Sequence, residues 1–280
     1  DQLDGAQICR ELYGNQVSIV PYVMPGFKLA KSCARIWKKH PNVKGLILLK
    51  HGVFSFGETA RVAYERMIDL VTIAERHLRA CRPSYSISPA PIAQSVLLPE
   101  RVAPVLRGTI AEWHGEDWRR VVLDFRNSVA VMKFVNGRDM RRYARVGPVT
   151  PDHVIRTKPK PLIIPPSAMR NGLSLPTAVK KLVQDYQENY NRYFDRQNRR
   201  LQHSKTKLDS RPRVVLLPGV GLFGLGGNAK DARIVADLAE TTARVILDAE
   251  NLGAFKSISE KDIFAIEYWS LEQAKLGKKR

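Results

Sequence analysis

His51 is the residue of this chain whose position is best suited to chemistry. It follows an apolar stretch, Gly45–Leu49, that predicts a β-strand, and it precedes a segment over about 58–75 whose apolar residues recur at helical spacing. An imidazole at the end of a rigid strand, next to Gly52, could bind a metal ion. The alternative is a buried histidine that is hydrogen-bonded to a neighbour, because a single histidine has no spacing partner that would complete a site. The spacing alone leaves both interpretations open.

A second candidate is the glycine-rich stretch Gly219-x-Gly221-x-x-Gly224, which follows an apolar segment and precedes a helical one. This is the spacing of a dinucleotide-binding loop, and Asp248 stands at about the distance expected for the acidic residue that binds the ribose. A Rossmann unit would need a second strand at 244–247. The apolar residues instead continue at helical spacing as far as Gly253. We therefore favour one helix over 228–252, with glycines that serve packing, and keep an NAD-binding oxidoreductase module as the alternative.

Cations and aromatic residues alternate between Lys180 and Lys207, in a chain whose formal net charge is +19. Aromatic rings among cations can stack on nucleic-acid bases. These aromatics, however, fall at helical spacing with leucines, which is typical of the buried stripe of an amphipathic helix whose other face is solvated. We therefore predict no nucleic-acid partner. The stripe consists of Leu182, Tyr186, Tyr190, Tyr193 and Leu201.

The strand, glycine corner and helix around His51 recur later in the chain. A shift of 169 positions, the separation of Gly57 and Gly226, aligns both glycines of the corner and the small residues of the following helix. In this alignment, Val220 stands at the position of His51. We interpret the two stretches as a duplicated domain whose second copy has lost its polar centre. The matching pairs are Leu48 and Leu217, Gly52 and Gly221, Phe54 and Phe223, Gly57 and Gly226, Ala60 and Ala229, and Ala63 and Ala232.

The length and composition of the chain predict a globular protein of two domains. Its 280 residues include three cysteines, too few for a disulfide framework, which predicts free thiols and a cytoplasmic location. No stretch approaches the length of a membrane span, and the first residues lack the pattern of a signal peptide, so we predict no membrane partner. The sequence opens within a helical pattern and without a methionine, and we interpret it as a fragment. The predicted divisions are a first domain over 1–82, a proline-rich connector over 83–104 and a second domain over 105–280.

Longer blocks of the sequence resemble one known family. With His51-Gly52 after a strand, and with the stretch Val20–Gly26 before it, the chain resembles the class II aldolase/adducin family. More closely, and over essentially its whole length, it is similar to the bifunctional rhamnulose-phosphate aldolase/short-chain dehydrogenase proteins. The blocks that carry this closer resemblance are Gly147–Lys158, Pro218–Gly227 and Glu267–Lys275.

The resemblance implies an α/β fold, a layered sheet with flanking helices, present as a partial first copy and a degenerate second copy. Members of the family hold a catalytic zinc with three histidines, two from a His-x-His pair and one from a His-Gly corner, which here is His51. The pair and the carboxylate that acts as acid/base should lie upstream of Asp1. Tyr22 matches the family's tyrosine, which reaches into the active site of a neighbouring subunit as a proton donor. Alternatively, Tyr22 is a structural residue between Pro21 and Pro25.

The implied reaction is retro-aldol cleavage of a ketose phosphate of the rhamnulose-1-phosphate type. In such enzymes zinc chelates the hydroxyl and carbonyl oxygens of the sugar phosphate and stabilises the enediolate, while a general acid/base moves the protons. In the bifunctional proteins a downstream Rossmann domain, which uses NAD, oxidises the released aldehyde. We therefore expect an enzyme of carbohydrate metabolism in the full-length parent, a homo-oligomer with sites between subunits, and an inactive fragment here.

In the second copy, the family's His-x-His positions read Pro148 and Thr150, and the corner position reads Val220. The resemblance therefore implies that this copy cannot hold zinc. His153 and Arg156 are candidates for contacts with a phosphate or with the first domain, and the alternative for His153 is a cap on a turn. A non-catalytic, adducin-like scaffold is the remaining alternative for the whole protein, and it predicts a parent without the upstream histidine pair.

Overall fold

The first part of the chain forms a small α/β unit around a three-stranded sheet. A computed structural model of the protein describes residues 1–91, 96–114 and 117–275. The sheet has the order β1-β2-β3, in which β1 is parallel to β2 and β3 is antiparallel to it. The elements are α1 (Gly5–Tyr13), β1 (Val17–Val20), α2 (Phe27–Lys39), β2 (Gly45–Leu48), β3 (Gly52–Ser55) and α3 (Ala60–Ala80).

The second part is larger and contains a four-stranded sheet of order β6-β9-β8-β7, together with a separate hairpin of β4 and β5. Strand β7 is parallel to β8, and the other neighbours are antiparallel. The elements are α4 (Pro99–Ile110), β4 (Glu112–His114), β5 (Asp117–Arg119), β6 (Val122–Arg126), α5 (Val129–Val135), α6 (Met140–Tyr143), α7 (Val154–Thr157), β7 (Leu162–Ile163), α8 (Leu175–Arg199), β8 (Val214–Leu217), β9 (Gly221–Gly226), α9 (Ala229–Leu252), α10 (Glu260–Glu267) and α11 (Ser270–Ala274).

The predicted layered fold is confirmed, because helices cover both faces of the second sheet. Successive side chains of a strand point to opposite faces, so Val214 and Leu216 pack against α5 and α9, whereas Val215 and Leu217 pack against α4 and α8. The short strand β7 lies at the edge of the sheet. Among the described residues, no helix combines the length and the apolar character needed to cross a bilayer.

The helix predicted over 228–252 is confirmed, and it rules out dinucleotide binding by the glycine-rich stretch. Helix α9 runs without a break through 244–247, where a Rossmann unit would need its second strand. Strands β8 and β9 form an antiparallel hairpin, and Gly224 lies in the middle of β9. A Cβ atom at Gly224 would lie 2.4 Å from the backbone nitrogen of Ala236. This glycine therefore allows α9 to pack directly on the sheet.

The internal repeat found in the sequence is also present in the secondary structure, because matching strands and helices begin at matching residues. The shift of 169 places β2 on β8 and the first residues of β3 and α3 on those of β9 and α9. The N-cap residues also correspond: Thr59 accepts a hydrogen bond from the backbone of Val62 (3.2 Å), and Asn228 accepts one from that of Asp231 (2.9 Å). Gly52 has the same φ, 146°, as its counterpart in the second copy. The two stretches are therefore copies of one supersecondary unit.

The structure corrects the predicted anatomy of this unit. His51 was expected between a strand and a helix, but it lies in the turn of the hairpin β2–β3, and α3 begins only at Ala60. The unit is strand, turn, strand and helix, because Gly52 allows the chain to reverse and to pair with β2. Strand β3 pairs with β2 alone among the described strands, whereas β9 pairs on both sides. Accordingly, Phe54 is 54% exposed while its counterpart Phe223 is 3% exposed.

The predicted connector over 83–104 is wrong at its C-terminal end, because helix α4 occupies its last residues. The helix begins at Pro99, where proline is tolerated because the first turn of a helix needs no backbone donor. It continues through Pro104, since Val102 and Leu106 are completely buried against the core shared with α8. Burial of this apolar face outweighs the cost of one missing hydrogen bond. The division of the chain into two domains at this segment stays a prediction.

Replacement of Gly224 by alanine should lower the free energy of unfolding by about 1–3 kcal/mol, because the new methyl group would push α9 away from β9. Gly227→Ala is the matched control, since a Cβ there would meet no atom within 4 Å. The control should change the free energy of unfolding by less than about 0.5 kcal/mol. Urea denaturation followed by circular dichroism measures both values. Equal effects of the two substitutions would contradict close helix packing as the reason for Gly224.

Candidate functional site

The hairpin turn between β2 and β3 presents His51 at one edge of the first sheet. The backbone N–H of His51 donates to the carbonyl of Leu48 (3.0 Å), which closes the turn. Lys50 takes up a left-handed conformation with φ of 68°, and Gly52 takes up a φ of 146° that residues with a Cβ atom rarely adopt. A Cβ at Gly52 would meet no atom within 4 Å, so conformation and not space requires glycine there.

Tyr22 and His51, the two site residues predicted from the sequence, lie side by side. Their rings are stacked, with centroids 5.2 Å apart and planes inclined by 13°. The reason is the parallel pairing of β1 with β2, because the carboxyl ends of parallel strands lie at the same edge of a sheet. The loop that follows Val20 therefore meets the turn that follows Leu48.

A hydrogen bond fixes the tautomer of His51. Its Nε2 lies 2.9 Å from the carbonyl oxygen of Val23, and this oxygen can only accept, so Nε2 carries the proton. The lone pair on Nδ1 is then free to bind a metal ion. Histidines that bind metals commonly donate their other N–H to a carbonyl or carboxylate, which holds the ring in place. No local sequence pattern indicates the role of the Val23 carbonyl.

The hydroxyl of Tyr22 is buried and has no hydrogen-bond partner in the part of the chain that the structure describes. Burial, together with the negative charge of Asp262, raises the pKa of Tyr22 to about 12. The phenol therefore keeps its proton at neutral pH and is a weaker acid than a solvent-exposed tyrosine. The predicted reach of Tyr22 into a neighbouring subunit stays a prediction, since in this chain the hydroxyl faces inward.

The second copy forms the other wall of the cavity that contains His51. This cavity, of about 550 Å³, lies between the two copies and is also lined by Thr150 and His153. The Oγ1 of Thr150 and the Nδ1 of His153 are buried and have no hydrogen-bond partner among the described residues. Burial lowers the pKa of His153, so its imidazole is neutral at pH 7.

The structure corrects two expectations about the degenerate copy. Among the described residues, Arg156 forms an ion pair with Asp231 (3.4 Å) and donates to the carbonyl of Lys275 (3.0 Å), and no hydrogen bond or ion pair joins it to the first domain. His153 stands at the N-terminus of α7, but its side chain makes no capping hydrogen bond. It therefore reaches the wall of the His51 cavity instead of capping a turn.

The described residues contain no complete set of metal ligands. Over 1–91, 96–114 and 117–275, no three His, Cys, Asp or Glu side chains form a group that could hold a metal ion. His51, with its free Nδ1, fits the part of a single ligand. Val220 occupies the corresponding turn in the second copy and offers no ligand atom.

Tyr22→Phe should leave the free energy of unfolding unchanged or raise it by about 1 kcal/mol, because it removes a buried hydroxyl that has no partner in this chain. Tyr143→Phe is the control, since the buried hydroxyl of Tyr143 donates to the carbonyl of Phe134. Loss of that bond should cost about 1 kcal/mol. Both values come from urea denaturation. An equal loss of stability in the two variants would assign the Tyr22 hydroxyl a structural role.

The comparisons with known proteins agree with this architecture. Residues 98–276 match the family model described as "Aldolase class II, second domain", and residues 4–78 match the model described as "Class II Aldolase and Adducin N-terminal domain". The chain is 29% identical over 280 residues to the uncharacterized oxidoreductase YuxG of Bacillus subtilis (strain 168), a match that covers 98% of this chain and 40% of that protein. The chain thus spans about two fifths of the length of this relative. No solved structure matches it. With more than half of its residues matched by the second-domain model, the chain belongs to the class II aldolase/adducin family.

Proposed function

We propose that this chain is part of a zinc-dependent aldolase that cleaves a ketose phosphate, of the rhamnulose-1-phosphate type, by retro-aldol chemistry. The observation that carries the proposal is the pairing of His51 with Tyr22 at one edge of the first sheet, with ring centroids 5.2 Å apart. One residue can bind a metal and the other can donate a proton. Membership of the class II aldolase family supports the reaction class, because carbon–carbon cleavage in this type of site combines a Lewis acid with a proton donor.

In this proposal His51 binds the metal and Tyr22 donates a proton. The chemistry that zinc supplies in such a site is polarisation of a carbonyl oxygen. His51 would contribute Nδ1 as one neutral ligand, and the Val23 carbonyl, 2.9 Å from Nε2, holds the imidazole in position. Tyr22 holds a proton on Oη at neutral pH, as any tyrosine does, and its pKa is raised to about 12. That proton can be delivered to a substrate carbon or oxygen that carries developing negative charge.

The remaining parts of the enzyme belong to the proposed full-length protein. The other zinc ligands and the acid/base carboxylate would come from residues that precede Asp1 in the parent. A dehydrogenase domain that binds NAD would follow the second domain and oxidise the released aldehyde. The oxidoreductase name of the Bacillus subtilis relative supports such a fusion. We further propose a homo-oligomer with sites between subunits, and a cytoplasmic location, which the three free cysteines support.

A non-catalytic scaffold is the second candidate. The observation that favours it is the lack, within the described ranges, of any group of three side chains that could hold a metal. An adducin-like scaffold would keep the fold and the turn of His51 without the other ligands. The two candidates differ in the zinc content of the full-length protein.

The test uses the full-length protein with its upstream residues. His51→Ala should abolish stoichiometric zinc and lower the rate of rhamnulose 1-phosphate cleavage by about 100-fold or more, since several kcal/mol of charge stabilisation are lost. His40→Ala is the matched control, because His40 is an exposed histidine at the end of α2, and it should keep both properties. Elemental analysis measures zinc, and a coupled assay measures the released aldehyde.

Two outcomes would contradict the proposal. Retention of zinc and cleavage in His51→Ala would remove His51 from the site. A full-length protein with neither zinc nor cleavage of any ketose phosphate would favour the scaffold.

A further inference from the structure

A second cleft lies in the second domain, away from His51. It has a volume of about 530 Å³ and is formed by the segment 145–163, helix α8 and the start of α10. It shares no lining residue with the cavity of His51. Its volume lies within the range of about 300–1,000 Å³ that is usual for small-molecule sites. The cleft uses the aromatic and basic stretch of α8, which the proposed aldolase chemistry does not involve.

Aromatic side chains of α8 form one wall of this cleft. Tyr186, Tyr190 and Tyr193 all line it, as part of the stripe predicted from the sequence. Their hydroxyls are already engaged: Tyr186 donates to the carbonyl of Lys160 (2.9 Å), and Tyr190 and Tyr193 donate to the carboxylate of Glu267 (2.8 and 3.1 Å). Tyr190 and Tyr193 are only 5% and 8% exposed, so the partly buried Tyr186 is the most exposed of the three and the other two support it from behind.

A buried carboxylate holds this wall rigid. Glu267 is 0% exposed, and besides the two tyrosines it faces Lys158 at 3.6 Å. Tyr268 adds a further hydrogen bond to Tyr190 (2.7 Å). Burial of a carboxylate is costly unless hydrogen bonds and an opposite charge compensate it. The network therefore fixes the rings in one arrangement, and a pre-ordered wall lowers the entropic cost of binding a ligand.

The rim of the cleft carries more positive than negative charge. Four cations and two carboxylates line it, and Arg196 is neutralised by two hydrogen bonds to Glu260 (2.7 and 3.0 Å). Arg192 donates only to the neutral amide of Asn189 (2.8 Å). Arg145 and Lys160 are exposed, and within the described ranges their side chains make no hydrogen bond or ion pair. Both cations line the cleft and are available to an anion, and the charge of Lys160 also interacts with that of Glu260.

We propose that this cleft binds a small phosphate monoester with a ring-bearing body, its phosphate held by Arg145 and Lys160 and its ring packed on the tyrosine wall. A guanidinium offers a planar fork that matches phosphate oxygens, and an ammonium adds a point charge. Sugar rings and nucleoside bases both pack on aromatic carbon. Sugar phosphates and nucleotides both combine a dianionic phosphate ester with a ring, and the test distinguishes these two classes of ligand.

The test measures binding to the chain itself by isothermal titration. The probes are adenosine monophosphate, fructose 1-phosphate and inorganic phosphate, with adenosine and fructose as uncharged counterparts. One of the two esters should bind at least about tenfold more tightly than inorganic phosphate and than its own uncharged counterpart, because only the ester uses both the cations and the wall. Binding of adenosine monophosphate identifies a nucleotide site, and binding of fructose 1-phosphate identifies a sugar-phosphate site.

Two double variants test the position of the phosphate. Arg145→Ala with Lys160→Ala should weaken the binding of the ester by about tenfold or more. Lys180→Ala with Lys181→Ala is the matched control, because it removes the same charge from exposed positions of α8 outside the cleft, and it should leave binding within about twofold. Urea midpoints confirm that both variants fold.

Three results would overturn the proposal. The first is equal loss of affinity in both double variants, which would indicate diffuse attraction by the net charge. The second is binding of inorganic phosphate as tight as that of the tighter-binding ester, which would leave the tyrosine wall without a role. The third is tighter binding of a single-stranded oligonucleotide than of any monoester, which would indicate a nucleic-acid surface.

Discussion

The turn between β2 and β3 is the constraint on which the candidate site depends. Lys50 is held at a φ of 68° and Gly52 at 146°, so the chain reverses immediately after β2. A left-handed lysine costs energy and persists only where the surrounding structure enforces it. Here the enforcing structure is the pairing of β3 with β2 and of β2 with β1. The position of the His51 imidazole is therefore set by three strands and not by a loose loop.

The two copies show that this scaffold does not need its polar residue. Val220 stands at the position of His51, in a turn of the same shape, and its backbone N–H closes the turn through the carbonyl of Leu217 (2.9 Å). The closing hydrogen bond is made by the backbone and is independent of the side chain. The turn therefore closes without a histidine, whereas in the first copy His51 adds a hydrogen bond to the Val23 carbonyl and a stacked contact with Tyr22.

The sequence predicted those parts of the fold that local patterns decide. Helix α9 was predicted because its apolar residues keep one period from end to end. The repeat was found because glycines recur where both stretches need the same φ, at Gly52 and Gly221, or a close approach to the following helix, at Gly57 and Gly226. Strand β3 was missed because four residues between two glycine-containing turns are too short to show a period. Helix α4 was missed because Pro104 is a reliable breaker only where no tertiary contact compensates for it.

The sequence analysis named individual residues of the candidate site, but it did not predict the contacts between them. The family resemblance pointed to His51 and Tyr22, whereas the Val23 carbonyl, the buried atoms of Thr150 and His153 and the Glu267 network depend on contacts between distant segments. No local pattern encodes such contacts. Arg156 illustrates the same limit, since its ion pair with Asp231 joins residues from different elements that only the folded chain brings together.

The unequal pairing of β3 and β9 has a consequence for the behaviour of the protein in solution. The outer side of β9 is covered by β6, and the ring of Phe223 packs on Phe125 with centroids 5.2 Å apart. Among the described strands, none covers the corresponding side of β3, where Phe54 is more than half exposed. A row of open amide groups beside a bare phenyl ring is a template for intermolecular sheet growth. Aggregation of this chain, purified by itself, should therefore increase with its concentration.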